Sequence, residues 1–582
     1  MKLKISLAQI NPSSGDLFGN RNLILRAIEK ARTEQADVVL LPEMCLTGYC
    51  LDEKLLINLH FLRENRRILM EEILPACQSI AAVVGFVDFD EDKKGPDRRV
   101  FRYNAAAVIQ NGRLLKVVHK RLLPSYRYFD DKRYFRPGLE AEPIPLKLGE
   151  SPCRVGVLIC EDLWDEGYDF KPFEEYARRG VDYIFCISAS PFVASNPGEQ
   201  DGKRFVRERL AREHCTKFGI PLIWVNTVGV GDNGKNIIVF DGFSTAYDCT
   251  GTLVANLPAF REAQQSVVFE QGRARPCPVP PLDREEEILQ ALVLGVRDYY
   301  EKIGIFRCVL EAVSGGVDSA LGAAIACEAM GSERVRLYNL PSRFNTETTQ
   351  RAARQLACNL AAEYHVVPIQ QIVDRVTADF EKYLHPIQNP ATIENLQARI
   401  RGLFMMAESN DLDALLLTNG NETEIALGYS TLYGDMVGGL AVIGDLAKTD
   451  VYRLARHVNQ RAGREIIPED SLTIPASAEL AEGQVDPFDY DVVGPLVSDL
   501  IEQGWSPRDV EKMFRERRMS EAKYGGLYER YTADSIRRLA TEVYRKINQS
   551  VYKRMQAAPI IVVSDRAFGF DLREAIINRW GE

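Results

Sequence analysis

The sequence lacks the features that mark several protein classes. No apolar run is long enough to span a bilayer, and the run in MKLKISLAQINP at residues 1–12 is too short for a signal peptide. The twelve cysteines form no CxxC pair, so we expect reduced, mostly buried thiols in a cytoplasmic protein without a membrane partner. The net charge of −10 argues against general binding of nucleic acid, because phosphate contacts supply most of that affinity.

The length of the chain and one proline-rich segment predict its domain organisation. A chain of 582 residues is too long for a single hydrophobic core. The segment RPCPVPPLDREEE at residues 275–287 holds four prolines and then a run of charges, which is typical of a linker. We therefore predict an N-terminal domain over residues 1–270, a linker over 271–287 and a C-terminal domain over 288–582.

Both halves alternate short apolar strands with helical runs. In the first half, KISLAQI (4–10) predicts a strand, residues 20–35 a helix, and YNAAAVIQNGRLLKVVHK (103–120) a later strand segment. In the second half, RCVLEAV (307–313) predicts a strand and SALGAAIACEAMG (319–331) a helix that ends at a glycine. This alternation favours two α/β domains.

Three predicted strand ends in the first half carry a polar residue suited to amide chemistry. Glu43 follows VVLL, Lys120 follows LLKVV, and Cys160 follows RVGVL. A thiolate is a strong nucleophile, a carboxylate can take its proton, and a nearby ammonium stabilises an oxyanion. One at a time, such residues are more often core or solvated surface. Together they indicate attack on an amide or nitrile carbon.

These segments resemble the nitrilase family in its glutamine-amidohydrolase branch, over roughly residues 1 to 270. The resemblance implies an α-β-β-α sandwich. It implies that Cys160 is the nucleophile, Glu43 the general base and Lys120 the transition-state stabiliser. It also implies a glutamine pocket formed by Tyr49, Asp131 and Ser188, with Asp131 where relatives usually carry a glutamate.

The second half contains SGGVDS at residues 314–319, between a predicted strand and a predicted helix. The segment is not a Walker A loop, because GxxxxGK[ST] is absent. Its glycines would let the backbone approach a ligand, and main-chain N–H groups at a helix N-terminus bind anionic oxygens. Asp318 would repel phosphate directly, which favours action through Mg²⁺. The loop thus predicts a phosphate site rather than a plain turn.

This loop resembles that of the N-type ATP pyrophosphatases, and later segments resemble the glutamine-dependent NAD synthetases. Those segments include ENLQARIRG (394–402), TNGNETEIALGYSTLYGDMVGG (418–439), GDLAKTDVYRLA (444–455) and VYKRMQAAP (551–559). The resemblance implies a Rossmann-like parallel-sheet domain. The residues it implies for ATP are Ser314, Gly315, Gly316, Asp318, Ser319, Leu340, Asn419 and Lys448. For deamido-NAD they are Asn395, Arg399 and Asp435, and for Mg²⁺ they are Asp318 and Glu424.

The chain departs from the family pattern at several positions. The family usually reads TGNKSE where this chain reads NGNETE, so Asn419 replaces a threonine and Glu422 replaces a lysine. Ala312 stands where a glycine is usual before the phosphate loop. These changes affect the loop that we expect near the ATP phosphates.

The resemblance implies one function for both halves. Glutamine hydrolysis would release ammonia, and an ATP-dependent half would adenylate deamido-NAD and amidate it, giving NAD, AMP and pyrophosphate. It further implies an ammonia channel and a homo-oligomer, either a dimer or a larger assembly. The alternatives are an amidating ligase for another carboxylate, a tRNA-modifying ATP pyrophosphatase, and an amidase fused to a nucleotide sensor.

Overall fold

A computed structural model of the chain describes residues 2–49, 52–95, 98–139, 142–148 and 151–577. It divides into two compact units. The first unit comprises residues 1–193, 200–233 and 238–282, and the second comprises residues 194–199, 234–237 and 283–582. Within the described residues, no helix is both long enough and apolar enough to cross a membrane.

The N-terminal part of the chain is rich in strands. They are β1 (Lys2–Gln9), β2 (Val38–Leu40), β3 (Ala81–Lys94), β4 (Val100–Gln110), β5 (Arg113–His119), β6 (Ile144–Leu148), β7 (Ser151–Ile159), β8 (Tyr183–Ser188), β9 (Leu222–Asn226), β10 (Val228–Asp232), β11 (Asn236–Asp241), β12 (Thr245–Tyr247), β13 (Leu253–Asn256) and β14 (Ala263–Glu270). The α-helices are α1 (Leu17–Thr33), α2 (Glu53–Leu56), α3 (Leu59–Ile68), α4 (Leu74–Ala76), α5 (Asp131–Tyr134), α6 (Pro172–Arg178) and α7 (Lys203–Phe218). A π-helical turn spans Leu69–Ile73, and a 3₁₀ turn spans Cys160–Leu163.

The first unit is a sandwich of two sheets with helices on its outer faces. One sheet has the strand order β14-β1-β2-β3-β4-β5, and the other has the order β13-β12-β9-β8-β7-β6. Side chains from both sheets, such as Ile5 and Val83 from one and Val155 and Phe185 from the other, form a single buried core. Helices α6 and α7 cover the outer face of the second sheet through Tyr176 and other apolar residues. This is the α-β-β-α sandwich that we expected.

The segment predicted over residues 103–120 forms a β-hairpin rather than one strand. Strands β4 and β5 pair antiparallel, and the chain turns between them at Asn111 and Gly112. Both residues have positive φ, 50° and 69°. An Asn-Gly pair adopts this conformation readily, which makes it a common two-residue hairpin turn.

The C-terminal part of the chain is rich in helices. They are α8 (Arg284–Ile303), α9 (Val317–Met330), α10 (Glu347–Leu360), α11 (Gln370–Tyr383), α12 (Ala391–Asp411), α13 (Glu422–Leu427), α14 (Lys448–Ala462), α15 (Glu469–Thr473), α16 (Tyr490–Glu502), α17 (Pro507–Arg515), α18 (Leu527–Arg530), α19 (Ala533–Gln549) and α20 (Val551–Arg554). The strands are β15 (Cys308–Ala312), β16 (Val335–Asn339), β17 (Glu363–Val366), β18 (Ala414–Thr418), β19 (Leu440–Ala441) and β20 (Ile560–Val562), and a 3₁₀ turn spans Ser332–Arg334.

The second unit is built on a parallel sheet with the order β20-β19-β18-β15-β16-β17. Strand β15 lies inside the sheet, between β16 and β18. The loop after β15 carries SGGVDS and leads into α9. The chain therefore places its phosphate-loop motif at the carboxyl end of an inner strand, where ligands bind in open α/β sheets.

Helix α8 begins at Arg284, inside the segment that we predicted as a linker. The Asp283 side chain caps the helix by accepting a hydrogen bond from the Glu286 N–H, at 2.8 Å. Because Asp283 satisfies an N–H group that lacks a partner within the helix, the helix can begin inside the charge run. The boundaries 1–270, 271–287 and 288–582 remain a prediction.

Candidate active sites

The structure brings together the side chains predicted for amide chemistry in the first unit. Lys120 Nζ lies 2.8 Å from Glu43 Oε1 and 2.8 Å from Asp131 Oδ2. All three side chains are at most 1% exposed. Burial alone would lower the pKa of Lys120, but the Asp131 and Glu43 carboxylates outweigh it and raise that pKa well above its ordinary value. Lys120 is therefore a buried, charged ammonium.

Glu43 is held by two further donors. The Asn104 Nδ2 amide donates to Glu43 Oε1 at 2.6 Å, and the Ala189 N–H donates to Oε2 at 2.7 Å. Asn104 lies on β4, and Ala189 follows β8. Both sheets of the sandwich therefore contribute to fixing the orientation of the Glu43 carboxylate.

Cys160 follows β7 at the start of a 3₁₀ turn and has a φ of +46°. Positive φ is strained for a residue other than glycine and is common at functional sites. Burial and the Glu43 charge raise the pKa of the Cys160 thiol to about 12, while Lys120 and the Ser188 hydroxyl act in the opposite direction. Cys160 at rest is therefore a thiol, which would need a base to react as a nucleophile.

The residues predicted for the glutamine pocket lie in the same place. Tyr49 donates its hydroxyl hydrogen to Asp131 Oδ1 at 2.9 Å. Asp131 begins helix α5, and its shorter side chain reaches both Tyr49 and Lys120. Ser188 is the last residue of β8 and is fully buried beside the Cys160 thiol.

Sequence reasoning did not identify two charged residues at this site, Glu161 and Lys203. The Glu161 carboxylate accepts hydrogen bonds from the hydroxyls of Tyr126 and Tyr168, at 3.0 Å and 2.9 Å. Lys203 Nζ lies 5.1 Å from the centre of the Phe129 ring. Burial, aided by a nearby arginine, lowers the pKa of Lys203 to about 8, and the neighbouring Glu161 carboxylate opposes this shift. Lys203 therefore lies close enough to Cys160 and Glu161 to interact electrostatically with both.

The second unit contains a cavity of about 320 Å³ beside the SGGVDS loop. It is lined by eight of the residues predicted for nucleotide, substrate or metal, together with others. The eight are Ser314, Gly316, Asp318, Ser319, Asn419, Glu424, Asp435 and Lys448. The cavity is therefore the candidate nucleotide site.

The phosphate loop has no room for a side chain at Gly315. This residue has a φ of +96°, and a Cβ there would lie 2.1 Å from the Thr349 carbonyl oxygen. The Gly315 carbonyl accepts a hydrogen bond from the Ser471 hydroxyl at 2.8 Å. Beside it, the Ser314 N–H donates to Ser319 Oγ at 3.2 Å. Only glycine allows the loop to pass this close to α10.

Lys448 interacts with two acidic side chains near the N-terminus of helix α9. It forms an ion pair with Asp318 and lies 3.4 Å from Glu424 Oε1. Asn421 Nδ2 donates to Asp318 Oδ1 at 2.9 Å and links α13 to the group. Burial and the Asp318 charge raise the pKa of Glu424, while Lys448 opposes the shift. Among the described residues, no cluster of three or more His, Cys, Asp or Glu side chains could hold a metal ion.

The structure places four other predicted residues outside the lining of the cavity. Leu340 is packed in the core, and its carbonyl accepts a hydrogen bond from Arg401 Nε at 3.0 Å. Asn395 Oδ1 accepts a hydrogen bond from the Thr431 hydroxyl at 2.6 Å. Arg399 is exposed and donates to the Leu432 carbonyl at 3.1 Å. Gly315 contributes through the shape of the loop described above.

Arg401, which the sequence did not single out, lines the cavity instead of Arg399. Its guanidinium donates to Asn345 Oδ1 at 3.0 Å. Helix α12 carries both arginines, and positions two apart on a helix point in different directions. The C-terminal VYKRMQAAP segment also contributes, because Ala557 and Ala558 line the cavity.

The comparisons with known proteins cover the whole chain. The carbon-nitrogen hydrolase family is matched over residues 4–274, and the NAD synthase family over residues 288–533. The chain is 35% identical to the glutamine-dependent NAD(+) synthetase of Thermotoga maritima, over 100% of this chain and 99% of that protein. This chain belongs to the glutamine-dependent NAD(+) synthetase family.

Two further comparisons agree with this membership. The glutamine-dependent NAD(+) synthetase of Synechocystis sp. is 36% identical, over 98% of both chains. The glutamine-dependent NAD(+) synthetase of Acinetobacter baumannii, solved in complex with ADP, superposes with a TM-score of 0.74 at 30% identity, over 99% of both chains. As a member of this family of ligases, the protein is an enzyme that uses ATP.

Proposed function

We propose that the protein makes NAD from deamido-NAD, ATP and glutamine, with AMP and pyrophosphate as the other products. The observation that carries this proposal is the pair of sites in one chain. A buried thiol with a base and an ammonium lies in the first unit, and a phosphate loop with an Asp318–Lys448–Glu424 group lies in the second. The first chemistry releases ammonia, and the second consumes it.

The first reaction breaks the side-chain amide of glutamine. Glu43 accepts the proton of the Cys160 thiol while the sulfur attacks the amide carbon. The oxyanion that forms faces the Lys120 ammonium, which stabilises it. Glu43 then returns the proton to the departing nitrogen, which leaves as ammonia, and a water molecule hydrolyses the thioester. Asp131 contributes by holding Lys120 and Tyr49 in place.

Glu161 and Lys203 carry charges opposite to those of the α-ammonium and α-carboxylate groups of glutamine. Free glutamine carries an α-ammonium group and an α-carboxylate group. Glu161 provides a buried anion whose orientation two tyrosine hydroxyls fix, and Lys203 provides a cation beside Phe129. This pair would select a free amino acid over a simple amide, since a simple amide would bring no opposite charge to either residue.

The second reaction activates the carboxylate of deamido-NAD. Its oxygen attacks the α-phosphorus of ATP, pyrophosphate leaves, and ammonia then displaces AMP. The N–H groups of the Gly315–Gly316 loop and the Lys448 ammonium would bind the phosphate oxygens. Asp435 and Arg401 line the same cavity and would bind the second substrate, with Asn395 and Arg399 as further predicted contacts.

Asp318 and Glu424 fit a magnesium site. Mg²⁺ is usually held by one or two carboxylates together with substrate phosphates and water, and these two carboxylates share one cation already. When bound, Mg²⁺ would neutralise the developing charge on the pyrophosphate. Asn421 and Lys448 keep the two carboxylates facing the cavity.

Several features of this proposal rest on the family resemblance. They are the ammonia channel, a homo-oligomer, a cytoplasmic location and the absence of a nucleic-acid partner. An acceptor other than deamido-NAD and a tRNA substrate are the competing possibilities, and membership of the family does not favour them.

The test compares two nitrogen donors. NAD formation from deamido-NAD, ATP and Mg²⁺ is measured with glutamine and with ammonium. We expect Cys160→Ala to lose only the glutamine reaction and Asp318→Asn to lose both. Equal loss of both reactions in Cys160→Ala would refute its role as the nucleophile. Product from xanthosine monophosphate or aspartate in place of deamido-NAD would refute the proposed acceptor.

A further inference from the structure

A buried carboxyl group lies behind the nucleotide cavity and is used by no step above. Glu311 is on the inner strand β15 and is 0% exposed. Neither of its carboxylate oxygens has a hydrogen-bond donor within the described part of the chain. An ionised carboxylate in that position would be strongly destabilising, because nothing compensates its lost hydration.

The neighbouring polar group also lacks a donor. Asn419 Oδ1 is buried and also has no hydrogen-bond donor among the described residues. A Cβ added at Gly322 on helix α9 would lie 2.2 Å from Asn419 Oδ1 and 2.4 Å from Glu311 Oε1. The two oxygens therefore lie against the same point of α9, and only glycine leaves room for them there.

A single proton satisfies both groups. As a carboxylic acid, Glu311 becomes a donor, and Asn419 Oδ1 is the acceptor beside it. Burial raises the pKa of Glu311 well above its ordinary value, and this effect outweighs a hydrogen-bond contribution from Asn419 that favours the ionised form. A neutral Glu311 at physiological pH agrees with the geometry.

The contact fixes which end of the Asn419 side chain meets the nucleotide. Asn419 is half-buried and lines the cavity, whereas Glu311 does not. If Oδ1 is held against Glu311 and α9, the Nδ2 amide would be the end that faces the cavity. Two N–H groups then point to the side of the cavity next to the SGGVDS loop, where they can donate to phosphate oxygens.

We propose that Glu311 is a positioning residue for ATP binding, acting by donating its acid proton to Asn419 Oδ1 so that the Asn419 amide faces the nucleotide. The inference deepens the proposed function and rests on it, since it assumes that the cavity binds ATP. This inference explains why Asn419 stands where the family usually has threonine. The longer amide side chain has a hydrogen-bond partner in the Glu311 acid on β15.

The test measures ATP affinity by calorimetry in the full chain without deamido-NAD, so that no turnover occurs. Glu311→Leu keeps the volume but removes the donor, and we expect ATP to bind about tenfold more weakly, the worth of one oriented hydrogen bond. Glu311→Gln keeps a donor and should bind ATP within about twofold of the wild type. Glu422→Gln is the matched control, since Glu422 is equally buried but absent from the cavity lining.

Two further readouts separate positioning from a general structural role. Glu311→Leu removes a buried acid but also leaves Asn419 Oδ1 without a donor, so these opposing effects should change the unfolding temperature little while ATP binds less well. The double variant Glu311→Leu/Asn419→Ala should bind ATP no more weakly than Asn419→Ala alone, because one contact cannot be lost twice. Independent, additive losses would overturn the inference, as would unchanged ATP affinity in Glu311→Leu. A wild type that binds no ATP would instead refute the proposed function.

Discussion

The Lys120→Met variant tests the charge balance of the buried amidase site. Lys120 is the ammonium between Glu43 and Asp131, at 2.8 Å from each. Methionine has similar bulk but no charge, so the change leaves two buried carboxylates without their shared cation. We expect the variant to lose both stability and glutamine hydrolysis.

The magnitude follows from the burial of the three groups. Removing one partner of a buried ion pair costs about 3–5 kcal/mol, since the remaining charge is left unpaired. At about 2–4 °C per kcal/mol for a unit of this size, the unfolding temperature should fall by roughly 6–20 °C. Loss of Lys120, the proposed oxyanion stabiliser, should lower kcat with glutamine by about 10²–10³.

The loss of stability should depend on pH. In the wild type the pKa of Lys120 is raised, so its contribution is complete below its unfolded pKa of about 10.4 and does not vary between pH 5 and 8. In the variant, the two uncompensated carboxylates favour proton uptake by the folded state. Stability should therefore fall as the pH rises from 5 to 8.

The measurements are thermal unfolding at pH 5 and pH 8, and NAD formation with each nitrogen donor. Lys116→Met is the matched control, because Lys116 is on strand β5 just before Lys120 and its ion pair with Glu142 is 38% and 53% exposed. An exposed pair is worth about 0–1 kcal/mol. Equal unfolding temperatures for the two variants, or glutamine-dependent synthesis retained in Lys120→Met, would contradict the assignment.

Three other predictions follow from the geometry. Because the pKa of Lys203 is lowered to about 8, kcat/KM for glutamine should fall above pH 8 as the ammonium deprotonates, and Lys203→Met should lose this dependence along with most of its glutamine affinity. Gly315→Ala should abolish synthesis with both donors while glutamine hydrolysis persists, since its Cβ would lie 2.1 Å from a carbonyl oxygen. Because the pKa of the Cys160 thiol is raised to about 12, its alkylation by iodoacetamide should keep rising up to pH 10.

The residues of the amidase site could be predicted, but not their arrangement. Glu43 and Lys120 follow strands β2 and β5 of one sheet, and Cys160 follows β7 of the other. Each residue showed in the sequence as a polar side chain at the end of an apolar run. That the strands belong to two facing sheets depends on long-range pairing, which no local pattern encodes.

Glu161 and Lys203, which sequence reasoning did not identify, also show how much depends on the tertiary structure. Glu161 directly follows Cys160, the proposed nucleophile, so its position in the sequence was an available signal. Lys203 begins helix α7, far along the chain, and belongs to no motif. It reaches the site only because α7 packs against the sheet that carries Cys160, which is a property of the tertiary structure.

The altered NGNETE loop shows that the position of a residue in a motif does not by itself tell where its side chain points. Asn421 and Glu424 form a capping box at the start of α13, which directs Glu424 to the Asp318–Lys448 pair. Glu422 is two residues earlier and so lies on a different side of the helix, where the Ser498 hydroxyl donates to it at 2.8 Å. In the sequence, Glu422 reads as a reversal of charge beside the ATP phosphates. In the structure it does not line the cavity, and burial raises the pKa of its carboxyl group well above the ordinary value. A substitution in this loop is therefore expected to affect ATP binding only if its side chain points into the cavity, as those of Asn419 and Glu424 do.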